Sequence, residues 1–321
     1  TLDGRDLTLP RFGFEWTPTE RTSVTGGIGL YGGGTPNVWV SNSYSNTGVI
    51  TSTLDCSTTT TNPTCTPPVV AALGGVTLTD LPPAYTGQLA TLAGTGSVNA
   101  IDPGFKIPSS WRYQLGVDHL FDFGPLGDGW NTSVTATYTD VKNAVLWRDA
   151  RLVRIGTLPD GRPRYGYPAT DTRNTSINDL VLTNTSKGSS LLLSAELSKA
   201  WDTRFGLFDM SVGYAFMDAE DVNSATSSTA LSNWDNLAVA DANDPGAATS
   251  NYEIRHRIPI RLSWRKALFG DNESAVNLFI ERRAGRPYSY TFARGASGSA
   301  DFATFGDPRQ NSRQRQLFYV P

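Results

Sequence analysis

The chain has 321 residues, 39% of them apolar and 18% charged, with 31 Gly, 19 Pro, two Cys and two His. A net charge of −3 supplies no basic patch or stripe of the kind that nucleic acid requires. No run approaches 18 consecutive apolar residues, which excludes a transmembrane helix, and the Thr, Val, Tyr, Trp and Gly content points to strands and turns.

Period-2 alternation is the strongest pattern along the chain. Val24, Gly26, Ile28 and Leu30 share one parity, against Ser23, Thr25, Gly27 and Gly29 on the other. Trp111, Tyr113, Leu115, Val117, His119 and Phe121 do so again against Arg112, Gln114, Gly116 and Asp118. Trp130, Thr132, Val134, Ala136 and Tyr138 alternate with Asn131, Ser133, Thr135, Thr137 and Thr139. Successive side chains of a strand point to opposite faces, so each segment has one apolar and one polar face. Eight strands are predicted, at 9–17, 21–31, 109–122, 129–147, 178–201, 207–218, 252–268 and 274–291. Several are long enough to cross a bilayer at a tilt.

The connections alternate in length. Those at 17–20, 122–128, 202–206 and 269–273 are short and carry Pro, Gly, Asp or Asn, as tight turns require. Those at 32–108, 148–177 and 219–251 are long. Short periplasmic turns and long extracellular loops are the signature of an up-and-down outer-membrane barrel. On that topology Trp16, Phe121, Trp130, Trp201, Trp264 and Phe269 fall beside the short turns, whereas Tyr31, Trp111, Trp147 and Tyr288 fall near the long loops. Two aromatic girdles are therefore expected at the headgroup levels.

In 252–268, Ile254, His256, Ile258, Ile260, Leu262 and Trp264 share one parity, and Arg255, Arg257, Arg261 and Arg265 the other. Arginines on a lipid face cost a few kcal/mol each near the midplane, so this row is expected to face a watery lumen. It reads either as an anion-attracting wall or plug contact, or as a solvated ladder paired with carboxylates such as Asp118, Glu196 or Glu281. The second reading is preferred, because polar lumens are normal in such barrels. Pro259 cannot donate to the ladder, so a bulge or local gap is expected there.

Cys56 and Cys65 lie in the longest loop, and an oxidising setting favours a local disulfide. A structural zinc site needs about four ligands, and no further Cys or His lies nearby. A reactive thiol is the weaker alternative. The stretch Gly27–Gly32 matches G-x-G-x-x-G inside an alternating strand, without the helix that a dinucleotide site needs. His119 and His256 sit on apolar parities, which suits satisfied interfacial residues better than ligands or bases. Loop acids Asp218, Glu220 and Asp221, or Asp241 and Asp244, have the oxygen chemistry for Ca²⁺ but fit no EF-hand spacing. A short helix is expected near 84–93. No catalytic constellation and no cofactor motif is apparent, and no enzyme is expected.

The passage Asn99-Ala-Ile-Asp-Pro-Gly-Phe-Lys-Ile-Pro-Ser-Ser-Trp-Arg-Tyr-Gln-Leu-Gly-Val-Asp118 resembles the loop-to-strand region of Oar-type TonB-dependent outer-membrane receptors. These carry a carboxypeptidase-regulatory-like domain at the N-terminus. The likeness continues in Leu182–Gly188, Asp221–Ser228, Ser232–Trp234, Tyr252–Ile258, Gly285–Tyr290 and Phe318–Pro321. It implies about eight strands of a 22-stranded barrel that moves an unidentified ligand with energy from the TonB system. The partners implied are outer-membrane lipid, TonB acting through an N-terminal plug, and a ligand at the loops. The plug, the TonB box and an aromatic terminal strand are not in this sequence, which therefore reads as a portion of such a barrel. A surface adhesin or structural barrel that binds partners through its loops is the alternative.

Overall fold

The computed structural model describes residues 6–32, 37–49, 67–71, 77, 80–91, 96–171, 177–292 and 316–317. Eight long strands form one antiparallel sheet in chain order. They are β1 (Arg11–Thr19), β2 (Thr22–Gly32), β3 (Ser109–Phe121), β4 (Trp130–Asp149), β5 (Ser189–Thr203), β6 (Gly206–Asp221), β7 (His256–Phe269) and β8 (Asn272–Arg283). Sequential neighbours pair throughout, which is the up-and-down order expected from alternating connection lengths. Among the described residues no helix is long and apolar enough to cross a membrane.

Register makes one face continuous. Residues directly opposite each other on neighbouring strands share a face. Phe12 opposes Ile28, which opposes Tyr113, which opposes Tyr138 and then Leu191. Farther along, Leu197 opposes Val212, then Ile260 and Ile280. These rings and aliphatic chains are not covered: Phe12 is 67% exposed, Leu115 52% and Val276 61%. A soluble monomer rarely exposes so broad an apolar patch. The opposite face carries Glu15, Thr25, Asp118, Ser133, Thr135, Glu196, Ser211 and the arginines of β7, in the same register.

The short turns are built from residues that tolerate their backbones. Gly206 closes the β5–β6 turn at φ +121°, and a Cβ there would come within 2.4 Å of the Arg265 carbonyl oxygen. Asp122 caps the Gly124–Leu126 turn by accepting the Gly124 N–H at 2.8 Å. Arg21, in the first turn, grips Asp128 in the second through two bonds of 2.8 and 2.6 Å. At Pro259 the β6–β7 ladder has the expected local gap: Val212 pairs Ile260 and Ala215 pairs Arg257 without a change of register. Gly213 fits this spot, because a Cβ there would lie 3.1 Å from the proline ring.

Two sequence expectations need correction. The segment predicted as one strand at 178–201 is two, Asp179–Thr185 and β5, broken around Gly188 at φ +123°. The strand predicted to run to 291 stops at Arg283, before Gly285 and Pro287. The long connections are also far from structureless. They hold helices Asn37–Ser45, Pro67–Ala71, Pro83–Thr91 and Ala230–Asp235, of which Pro83–Thr91 is the helix expected near 84–93. Strand Val98–Ile101 pairs in parallel with Asp179–Thr185, which in turn pairs with the far half of β4. A hairpin of Val153–Thr157 and Pro163–Gly166 adds to this assembly.

The densest core is in that cap and not in the wall. Val40, Phe105, Val145, Trp147, Leu152, Tyr167, Leu180, Leu182, Ala230 and Trp234 form one buried cluster drawn from all three long connections and the end of β4. Burying each larger side chain contributes roughly 1.5–3 kcal/mol relative to leaving it in water.

The two faces of the wall make opposite demands on a new charge. Leu262 opposes Met210 and Leu278 on the apolar face, whereas Ser263 opposes Asp209 and Asn277 on the polar one. Leu262→Arg is expected to lower stability in lipid or detergent by about 2–4 kcal/mol. Ser263→Arg should stay within about 0.5 kcal/mol of the parent. Urea titration followed by heat-modifiable gel migration measures both.

Candidate functional site

Three features carry chemical information: the polar face, the aromatic rings at the sheet ends, and the cap. On the polar face, the arginine row that starts just before β7 is largely matched by carboxylates. Arg255 contacts Asp218 at 2.9 Å and Glu253 at 3.0 Å, Arg257 contacts Glu281 at 3.1 Å, and Arg265 contacts Asp209 at 3.2 Å. Of the acids named from sequence, Glu281 is such a partner, while Glu196 instead accepts the Ser211 hydroxyl at 2.6 Å. Arg261 forms no ion pair among the described residues. It lines a recess of about 620 Å³ with Asn131, Ser198, Ser211, Ser263 and Asn277.

At the short-turn end the rings run side by side around the apolar face. His119 and Phe121 lie 4.3 Å apart, Phe121 and Phe123 5.5 Å, Phe123 and Trp130 5.6 Å, and Trp130 and Trp201 5.4 Å. Register continues the row through Phe208 to Trp264, whose indole N–H donates to the Phe205 carbonyl at 2.9 Å. Trp16 stands on the same face at the outer strand, 60% exposed. At the other end only Trp111 of the β-strand aromatics expected there takes the apolar face, opposite Leu30. Tyr31 has the opposite parity and lies under the guanidiniums of Arg11 and Arg112, at 4.4 and 5.3 Å. Trp147 is 2% exposed in the cap core, with Trp39 packed edge-on against it at 5.2 Å. Neither belongs to a girdle: one is turned inward by parity, and the other is on the half of β4 that has left the wall.

The cap is clamped by buried polar groups that sequence reasoning did not single out. Asp149 is fully buried and accepts bonds from the Asn178 amide at 2.8 Å, the Arg151 N–H at 2.9 Å and the Asp179 N–H at 3.2 Å. Asn243 bonds the Asp149 backbone from both sides, donating to its carbonyl and accepting its N–H, each at 2.9 Å. Burial pushes the Asp149 carboxyl above the usual carboxylate range, and these bonds oppose the shift. Arg151 donates to Asp171 at 2.8 Å and to the Ile177 carbonyl, and its guanidinium lies 4.2 Å from the Tyr167 ring. Trp39 and Asn42 donate to the carbonyls of Ser227 and Ser228 at 2.7 and 2.9 Å, fastening the first connection to the third. The signal in the sequence was the length of β4: its 20 residues exceed the 9–11 that a tilted crossing needs.

The remaining predicted residues are accounted for individually. Cys56 and Cys65 lie outside the described residues. Gly27–Gly32 is interior to β2. His119 shares a 2.9 Å bond with Thr22 and His256 one with Tyr214, each across a strand pair. Asp218 is paired with Arg255, Asp221 accepts the Ser250 hydroxyl, Asp241 accepts the Tyr165 hydroxyl at 2.9 Å, and Asp244 meets Lys187 at 2.6 Å. Among the described residues no three potential metal ligands of the His, Cys, Asp or Glu type are gathered.

Two consequences can be measured. Asp149→Ala leaves two backbone N–H groups and the Asn178 amide without their acceptor, at about 1–3 kcal/mol each. Hydrogen exchange in 144–149 and 179–185 is expected to accelerate, while the 131–140 amides keep their protection. Burial and the bond to Asp241 raise the Tyr165 phenol to about 12. Its contribution to the cap is thus complete below its ordinary value near 10 and is lost as pH rises through about 12. Absorbance titration of phenolate should show a late-titrating component that Tyr165→Phe removes and Asp241→Asn brings earlier.

No curated protein matches the chain. A family model described as an outer membrane beta barrel domain matches residues 5–285, from before β1 to just after β8. That span holds both the wall with its apolar outer face and the cap. The chain accordingly belongs to the outer membrane β-barrel domain family, and its place is the outer membrane of a Gram-negative cell.

Proposed function

We propose that this chain is the wall and cap of a TonB-dependent receptor that moves a ligand across the outer membrane. In this reading the cap faces the medium, the short turns face the periplasm, and the polar face lines the lumen. The protein binds and transports but catalyses no covalent chemistry. The observation that carries the reading is the recess around Arg261. Arg257 and Arg265 on β7 are matched by carboxylates, yet Arg261 has no ion pair among the described residues and lines about 620 Å³ on the inner face with Asn131, Ser198, Ser211, Ser263, Asn277 and its cross-strand neighbour Phe279. A recess of mixed apolar and polar lining with an unmatched cation suits a wall that meets a second domain or a passing solute. The resemblance of 99–118 and 252–258 to Oar-type receptors points the same way.

Full-length protein purified in detergent, titrated with the periplasmic domain of TonB from the same cell, tests this. Saturable binding is expected. Its absence, together with loss of cell attachment in a deletion strain, would replace transport by adhesion.

A further inference from the structure

Most of the cap's polar side chains are spent on one another, but one cleft is an exception. It measures about 370 Å³ and lies between the end of β6, the 236–251 stretch and the segment after β8. Asp221, Asn236, Thr249, Asn251, Tyr288 and Ser289 line it. The side chains of Asn236, Thr249, Asn251 and Ser289 have no hydrogen-bond partner among the described residues. Asn42, Asn223, Asn233 and Asn243, elsewhere in the same cap, all have theirs engaged. Unspent amides and hydroxyls in a concave site are available to a ligand.

Tyr288 forms one wall and is 76% exposed. Tyr290 meets it edge-on, with centroids 5.4 Å apart and planes at 79°, and their hydroxyls lie 3.3 Å apart. This contact holds the Tyr288 ring in place without covering it. An exposed phenol ring is a rigid, amphipathic platform that loses little conformational entropy on binding.

The charge of the lining narrows the ligand class. It contains Asp221 and neither Lys nor Arg, so nothing there attracts a phosphate or carboxylate. The lone carboxylate already accepts the hydroxyls of Ser250 and Ser224, the latter at 3.4 Å, and no other acid lines the cleft to complete a cation site. Its remaining lone pairs suit neutral hydroxyl donors, whose bonds to an ionised acceptor are strong. A flat apolar platform beside amides, hydroxyls and one acceptor-rich carboxylate matches a ring that is apolar on its faces and hydroxylated at its rim. The volume lies within the range of small-molecule sites.

We infer that this cleft is a carbohydrate-binding site, with Tyr288 stacking on a sugar ring and Asp221, Asn236 and Asn251 bonding its hydroxyls. The inference deepens the receptor reading by naming its ligand class. It requires only that the cap be a capture face, so it survives if energy coupling does not.

The test uses the full-length protein in detergent and isothermal titration with maltohexaose, cellohexaose, xylohexaose, laminarihexaose and chitohexaose, and with a tryptic peptide mixture as the competing class. At least one oligosaccharide is expected to bind. Tyr288→Ala and Asn251→Ala should each weaken it at least tenfold, and Tyr288→Phe should keep it within about twofold, because the platform is retained. Unchanged heat-modifiable migration and TonB binding separate a lost site from a lost fold or lost coupling. Binding of none of the sugars, binding of peptides alone, or undiminished sugar binding by Tyr288→Ala would overturn the inference.

Discussion

The constraint on which everything else rests is that a peptide group has no water to bond inside a hydrocarbon layer. Every N–H and C=O at that depth needs a partner within the protein, and an isolated strand cannot supply one. Here the six inner strands meet the requirement by pairing with a neighbour on each side, whereas β1 and β8 are paired on one side only among the described residues. The exception at Pro259 is instructive. The missing donor leaves a gap of two residue pairs between β6 and β7, and Gly213 gives the ring room so that register survives on both sides.

Once pairing is fixed, side-chain parity does the remaining sorting. A sheet that meets lipid on one side and polar surroundings on the other cannot hold a conventional core between layers. The buried apolar cluster is displaced to the cap, where Trp147, Leu180, Phe105 and Trp234 come together from distant parts of the chain. The cap also concentrates the buried polar groups, because its short segments leave backbone atoms that only side chains such as Asp149, Asn233 and Asn243 can satisfy.

Much of the wall was legible in the sequence, since period 2 is a local property and the turn residues punctuate it. Six of the eight wall strands could be placed from alternation to within about four residues at both ends, and the face assignment follows from the same parity. The cap was not legible, and the reason is physical. Its contacts join residues such as Trp39 and Ser227, 188 positions apart, and no local pattern encodes such a meeting. Tyr31 shows a different limit: proximity to a strand end suggested a girdle, whereas its parity, countable from Val24, already placed it on the inner face. For the site, the arginine row was visible as a charge pattern. The clamp at Asp149 and the cleft at Tyr288 depend on side chains brought together only by folding.

The unbroken course of β4 has a further consequence. One strand serves as wall from 131 to 140 and as cap from 144 to 149, so its residue count acts as a ruler between the two. The connections at 32–108 and 219–251 can gain or lose residues at their surfaces over evolution and leave the wall intact. The β3–β4 register already slips by one residue at this junction, with Ser110 opposite Val141 and Ser109 opposite Asn143, and a further insertion between Val141 and Ala144 would turn Trp147 and its neighbours to the wrong side. Variation in this family should therefore be generous in loop length and strict in the spacing across that junction.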